Sequence, residues 1–300
     1  MLPPRLSLEV FVPRSEKGVS ELCEPLLRQL CDFGPALLSL SGYQLGEAGG
    51  GSRIAAAVQS HAVRLQLHLP RTGTTRARAA WVVDECARAG VRDLLLLPGH
   101  ASANPGPDEF GTLLELVRFI KEKSAGAVRC AVPGYPRGST GECGVYEEDL
   151  QQLRLQLRAG ASCVLCQPVY DASAISALVA DLGDDLAGCT LSPTLLPIQS
   201  NTEFSRVTRG LGLTPPAWLR SQLQSARSDD AVRQVSTAAL SKLATALRGM
   251  PLPVNTELVL HVATLNGADS LDVLRTAGFT PLVHRTRGPG LAPRSEARIE

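Results

Sequence analysis

Apolar runs and helical patterns alternate along the whole chain. "RLSLEVFV" (5–12) alternates polar and apolar residues, as a strand with one greasy face does. A helical pattern over Ser20–Leu30 follows. "ALLSL" (36–40) reads as a second strand, succeeded by the glycine-rich turn "GEAGGGSR" and a short helix. "VRLQLHL" (63–69) precedes a helix from about Thr74 to Ala89. "DLLLL" (93–97) precedes a helix from about Asp108 to Lys123. "VRCAV" (128–132) leads to a helix over Glu147–Ala159, and "SCVLC" (162–166) to one over Ala172–Leu182. "CTLSPTLL" (189–196) leads to helical stretches over Thr202–Leu211 and Asp229–Leu247. "ELVLHVA" (257–263) comes last, with a helix over Ser270–Ala277.

These eight strand–helix units predict an α/β protein of the (β/α)8 TIM barrel class. An open doubly wound sheet is the alternative. The regular repetition without a break favours the barrel. Local signals agree. Leu150, Leu153 and Leu157 recur at helical spacing, Gly160 fits a C-cap, and Glu147, Glu148 and Asp149 suit a first turn. Thr74 or Thr75 can cap the helix that carries Trp81. The expected organisation is one barrel over 1–283 and a flexible, solvated tail over 284–300, rich in Arg, Pro, Gly and Ser.

Strand parity then says what points inward. Leu6, Leu8, Val10 and Val12 share the greasy, helix-facing side, so Ser7, Glu9 and Phe11 face the barrel interior. On the third strand Val63, Leu65 and Leu67 face the helices, and Arg64, Gln66 and His68 face inward. A buried charge needs a partner or a use. A Glu9–Arg64 ion pair is the structural reading. The functional reading is an acid–base or ligand-binding floor on which burial raises the pKa of Glu9. Active sites of this fold lie at the C-terminal ends of the strands. Glu9 and His68 lie near those ends, and His100, Gln167 and Asn201 lie on the loops there.

Composition narrows the function. Net charge is +1 and aromatic content 4%, so neither a nucleic-acid surface nor a base-stacking platform is expected. No apolar run approaches the roughly 18 residues that span a bilayer. The first strand starts at about Arg5, which leaves no room for a cleavable leader, and a cytoplasmic location is expected. Eight cysteines without framework spacing read as free buried thiols of a reducing compartment. "CVLC" invites a zinc or redox reading, but Cys163 and Cys166 lie three apart on a strand and face opposite sides, so no metal site is expected. "GEAGGGSR" reads as the loop after strand two rather than a phosphate cradle. Arg76, Arg78 and Arg88 read as a solvated helix face, and His261 as a satisfied core histidine.

The motifs, taken in order, resemble the methylenetetrahydrofolate reductase family over most of the chain, from about Leu6 to Pro281. They are "LEVFVPRSEKG", "AGGGSR", "LHLPR", "AGVRDLLLLPGH", "AVPGYPRGS", "DLQQLRLQLRAGASCVLCQPVYD", "LLPIQS" and "HVATLN". The resemblance implies hydride transfer from reduced FAD to 5,10-methylenetetrahydrofolate, within one-carbon metabolism. It implies a folate-type substrate, NAD(P)H as electron donor, and a homo-oligomer or protein partner. Glu9 matches the acid that protonates the folate's departing nitrogen, and Gln167 the glutamine that contacts substrate near the flavin. His68, Tyr135 and Asp149 keep residues of the flavin-binding stretches.

Other positions depart from the family. His100 replaces an aspartate that tunes the flavin, and Ser139 replaces a loop histidine. Gln156 replaces a lysine that contacts cofactor, and Gln152 stands where asparagine is usual. Ala56 replaces a threonine, Asn201 the aromatic that covers the folate, and Arg71 a cysteine. The flavin site is therefore expected to be altered. The alternative is a catalytically inactive barrel that acts as a binding or partner subunit.

Overall fold

The computed structural model describes residues 5–12, 29, 33–41, 58, 63–99, 108–136, 145–265 and 268–279. Eight parallel strands close into a barrel in sequence order, which settles the fold as a (β/α)8 barrel. The strands are β1 (Arg5–Phe11), β2 (Leu37–Ser41), β3 (Arg64–Pro70), β4 (Asp93–Leu97), β5 (Arg129–Gly134), β6 (Ala161–Pro168), β7 (Thr190–Leu195) and β8 (Glu257–Ala263). The helices are α1 (Arg76–Arg88), α2 (Leu113–Lys123), α3 (Tyr146–Arg158), α4 (Ala172–Leu182), α5 (Asn201–Gly210), α6 (Ala217–Ser225), α7 (Asp229–Arg248) and α8 (Ala268–Thr276). A 3-10 turn over Gly183–Leu186 closes α4. The helices expected after the first and second strands, the boundary at 283 and the tail lie outside the described residues.

The core lies between the strands and the helix ring. Leu6, Leu8 and Val10 of β1, Leu38 and Leu40 of β2, and Leu94 and Leu96 of β4 belong to one apolar cluster with Val82, Leu116 and Ile120 of the helices. At about 25 cal/mol per Å2 of buried apolar area, this layer is the main stabilising term. The other strand parity faces the barrel axis, as expected for β1 and β3.

Sequence boundaries and observed ones differ in two informative places. The α2 helix begins at Leu113 rather than near Asp108, because the Thr112 hydroxyl caps it by accepting from the Glu115 amide. The preceding residues are tied elsewhere: Asp108 to Arg71, and the Glu109 carboxylate to the Arg76 amide. Helix α6 was not expected at all. It is short, follows Pro215 and Pro216, and is held by Leu219 and Leu223 in a second apolar cluster with Ile198, Phe204 and Val232. Thr75, of the two candidates, caps α1. Arg76 and Arg78 are not simply solvated: their guanidinium groups lie over the rings of Phe110 and Trp81.

The strands are not uniform. On β6, Gln167 is the extra residue where the pairing with β7 shifts register between Cys166 and Pro168. The Cys166 carbonyl accepts the Thr194 hydroxyl at 2.5 Å, and the Val169 amide returns to the Thr194 carbonyl. A bulge at the C-terminal end of a barrel strand re-aims a side chain, and this one falls on a residue singled out from sequence. Gly134 ends β5 under a tight constraint. A Cβ there would sit 2.6 Å from Val164 Cγ1, so only glycine lets β5 lie against β6 just before Tyr135.

Candidate active site

β1 carries Ser7 and Glu9 up the barrel axis, and β8 carries His261 beside them. The Glu9 Oε2 and His261 Nε2 are 3.1 Å apart, and Nδ1 of the same ring is 3.0 Å from the Ser7 hydroxyl. An ionised carboxylate only accepts, so Nε2 is the donor to Glu9. The His261 side chain is 1% exposed and that of Glu9 14%. The backbone at Glu9 is pinned as well: its carbonyl accepts the Thr264 hydroxyl at 2.6 Å. His261 is a satisfied buried histidine, as expected, but the group that satisfies it is the candidate acid itself.

A second hydrogen-bonded group lies on the adjacent strands β2 and β3, where Ser39 is in register with Glu9. The Ser39 hydroxyl donates to Gln66 Oε1 at 2.9 Å and meets His68 Nε2 at 2.8 Å. With the hydroxyl hydrogen spent on Gln66, Nε2 of His68 carries the proton of that contact.

Burial pushes the Glu9 carboxyl up. The hydrogen bond from His261, the charges of His68 and His261, and a hydrogen bond from Ser41 outweigh it, and the carboxyl ends below its ordinary value of 4.5. The expected rise is therefore corrected: desolvation is the largest single effect, but the partners together exceed it. Burial holds the His68 imidazole below its ordinary 6.5, with Glu9 opposing and His261 adding. At neutral pH Glu9 is an anion and His68 is neutral.

Arg64 does not pair with Glu9. Its guanidinium bonds Asp93 on β4 at 2.5 and 3.2 Å, and Arg129 on β5 bonds the same carboxylate at 2.8 Å through both nitrogens. Those groups lie at the N-terminal end of the strands, away from the candidate acid. The Glu9–Arg64 ion pair considered from sequence is not formed, because the strand register sets Arg64 opposite Asp93.

The remaining predicted residues divide into three groups. Gln167 stands at the β6 bulge. Tyr135, just beyond β5, lies close to Asp149 at the start of α3; burial and that carboxylate push its phenol up to about 12. Gln156 is buried on α3, whereas Gln152 is exposed to solvent. Asn201 turns its amide to the Leu223 carbonyl at 2.9 Å, which joins α5 to α6. His100, Ser139 and Ala56 lie outside the described residues. Three polar atoms that sequence did not single out are buried without a hydrogen-bond partner among the described residues: Tyr170 Oη, Gln199 Oε1 and Glu203 Oε2. Tyr170 follows β6 and packs its ring on Phe204 in the second apolar cluster, and Gln199 and Glu203 follow β7. Gln199 is wired toward the acid, since its amide donates to Ser270, Ser270 to the Thr264 carbonyl, and Thr264 to the Glu9 carbonyl.

The described residues do not fit FAD as the resemblance implies. Gln156 offers a neutral, buried amide where the resemblance implies a lysine that contacts cofactor. Arg71 is committed to Asp108 at 2.7 Å and to the Phe110 carbonyl. Nε2 of His68 is taken by Ser39. "CVLC" forms no metal site: Cys166 packs with Val164 against β5, while Cys163 faces the axis near Asp93, and no group of His, Cys, Asp and Glu among the described residues could hold a metal ion. No helix among the described residues is long and apolar enough to cross a membrane.

Comparison with known proteins agrees with this geometry. Residues 3–277 match the family model described as methylenetetrahydrofolate reductase. Methylenetetrahydrofolate reductase 2 of Schizosaccharomyces pombe is 26% identical over 75% of this chain and 37% of its own. Methylenetetrahydrofolate reductase (NADH) 1 of Arabidopsis thaliana is 26% identical over 75% of this chain and 40% of its own. The chain thus spans about two-fifths of the length of these curated relatives. Among solved structures, a Clostridium thermocellum protein that binds two copies of 5-methyl-5,6,7,8-tetrahydrofolic acid superposes with a TM-score of 0.64. It is 11% identical and covers 92% of this chain and 93% of its own, a likeness of fold. By the family match over nearly its whole length, borne on a closed eight-stranded barrel, this chain belongs to the methylenetetrahydrofolate reductase family.

Proposed function

We propose that the chain binds a folate-type tetrahydropterin at the C-terminal mouth of the barrel and acts on it as a methylenetetrahydrofolate reductase-like oxidoreductase. The observation that carries this reading is the buried Glu9 carboxylate held by His261 at the top of β1. Reduction of the methylene bridge needs a proton on the departing nitrogen and a hydride on the bridging carbon. Glu9 supplies the proton. It is anionic at rest, so it takes up a proton as substrate enters and water leaves, when desolvation gains over its partners. His261 and Ser7 hold the carboxylate in one orientation throughout, and the proton-carrying His261 Nε2 lies in contact with it. Gln167, re-aimed by the bulge, orients the substrate. The Gln199 oxygen that lacks a partner supplies a polar contact to the ligand's amine edge.

Within the family FAD delivers the hydride, from NADH or NADPH. The misfit at Gln156, Arg71 and His68 supports a second reading, in which the barrel binds a folate without turning it over, as a binding or partner subunit. One experiment separates them. The purified protein is incubated with FAD, desalted and scanned for flavin absorbance, then assayed with 5,10-methylenetetrahydrofolate and NADH or NADPH, with and without FAD. Formation of 5-methyltetrahydrofolate under any of these conditions supports the reductase. Binding of 5-methyltetrahydrofolate without any turnover supports the binding protein.

A further inference from the structure

Gln199 follows β7 in the segment that leads to α5, at the C-terminal end of the strands. Its amide has two unlike ends: an oxygen that only accepts and a nitrogen that only donates. A half-turn about the last torsion exchanges them, so what holds one end decides what the other end offers. Ser270 holds it. This residue lies in the first turn of α8 and is 1% exposed. Its hydroxyl is 2.8 Å from the Thr264 carbonyl and 3.2 Å from the Gln199 amide nitrogen. A hydroxyl has one hydrogen and a carbonyl can only accept, so that hydrogen goes to Thr264. What remains for Gln199 is a lone pair, and only the amide nitrogen can meet it. The amide oxygen is thereby turned away from Ser270, and it is buried without a hydrogen-bond partner. The anchor belongs to the barrel wall, because the Thr264 hydroxyl donates in turn to the Glu9 carbonyl on β1 at 2.6 Å.

We propose that Ser270 is a positioning residue that fixes the sense of the Gln199 amide, so that this place in the site offers an acceptor and selects a ligand group that donates. This rests on the reading that the mouth takes a folate-type ligand, whose amine edge carries such donors. Ser270 acts through Gln199 and touches no ligand itself. With Ser270 gone, both orientations of the amide are open. In the turned one, the Gln199 nitrogen would face the ligand's own donors, and a donor facing a donor forms no bond.

The test is a double-mutant cycle, read as calorimetric affinity of the full chain for 5-methyltetrahydrofolate. The four proteins are wild type, S270A, Q199M and the double variant. Methionine keeps the length of glutamine and removes its hydrogen bonds. Q199M is expected to weaken binding by about tenfold and S270A by about fivefold. The double variant binds no worse than Q199M, because no amide is left to orient. A Ser270 that merely supports the fold would cost the same in both backgrounds, so losses that multiply would overturn the proposal. Wild-type affinity in S270A or in Q199M would overturn it too. S270C, close in size and weaker in hydrogen bonding, carries the same cycle where S270A does not fold. If the wild-type chain binds no 5-methyltetrahydrofolate, the folate reading itself fails and this proposal with it; wild-type binding with independent losses sinks the Ser270 role alone.

Discussion

The two ends of the barrel axis handle charge in opposite ways. At the N-terminal floor, Asp93 is shared by Arg64 and Arg129, and Arg5 meets Glu257. Each acid there faces a permanent cation, and the Arg64 and Arg129 side chains are 43% and 46% exposed. Half a barrel higher, Glu9 faces no arginine. It accepts from an imidazole on β8 and a serine on β2 and lies near a second imidazole on β3. Permanent ion pairs close the floor; hydrogen-bonding imidazoles and hydroxyls line the mouth. The same interior parity thus builds a plug at one end and a proton-handling site at the other.

Breaking the floor should have the largest effect. Asp93→Asn leaves two guanidinium groups facing each other around a side chain that is 8% exposed. Allowing for the solvent that reaches both arginines, the loss is about 2–3 kcal/mol. Chemical denaturation should show it, while affinity for 5-methyltetrahydrofolate in the folded protein stays as in wild type. A matching loss of affinity would mean that the two ends are not separate.

Ser7→Ala probes the mouth. It removes the hydroxyl partner of a buried ring nitrogen, which should lower stability by about 1 kcal/mol. If the anchoring of His261 matters to Glu9, turnover falls by about fivefold with little change in KM. Unchanged turnover would reduce Ser7 to packing.

The smallest expected effect is a change of slope. His68 is held below its ordinary 6.5, so between that value and its folded pKa the unfolded chain binds more protons. Stability therefore falls as pH drops below 6.5. Glu9, held below 4.5, adds a further loss as pH falls through its folded pKa. Melting temperatures of His68→Asn and wild type, measured across about pH 5 to 7, should diverge, the variant showing the flatter curve. Parallel curves would contradict the burial of a neutral His68.

The strand parity of β1 and β3 was legible, because alternation with leucine and valine leaves little choice about which face is buried. So the alternation alone places Glu9, Gln66 and His68 inside. Their partners are another matter. Asp93 opens a leucine run and reads as a strand edge, yet it lies across from Arg64 through register alone. His261 reaches Glu9 across 252 residues of sequence, by closure of the barrel between β1 and β8. Periodicity carries no such information. The direction of the Glu9 shift failed for the same reason, since burial was foreseen and the histidine was not. Gln167 was legible through resemblance, but the bulge that displaces it depends on pairing with β7. Arg71 read only as a cation in place of a cysteine, and the fold shows it paired with Asp108.

The central claim is that Glu9 is the proton donor of a folate-reducing site. The measurement that tests it most directly is conversion of 5,10-methylenetetrahydrofolate to 5-methyltetrahydrofolate by wild type and Glu9→Gln, side by side, with FAD and a reduced nicotinamide supplied. The account predicts turnover by wild type and a loss of at least about a hundredfold in the variant, which still folds and binds 5-methyltetrahydrofolate. Equal turnover by Glu9→Gln, or wild-type protein that neither turns over nor binds a folate, would contradict it.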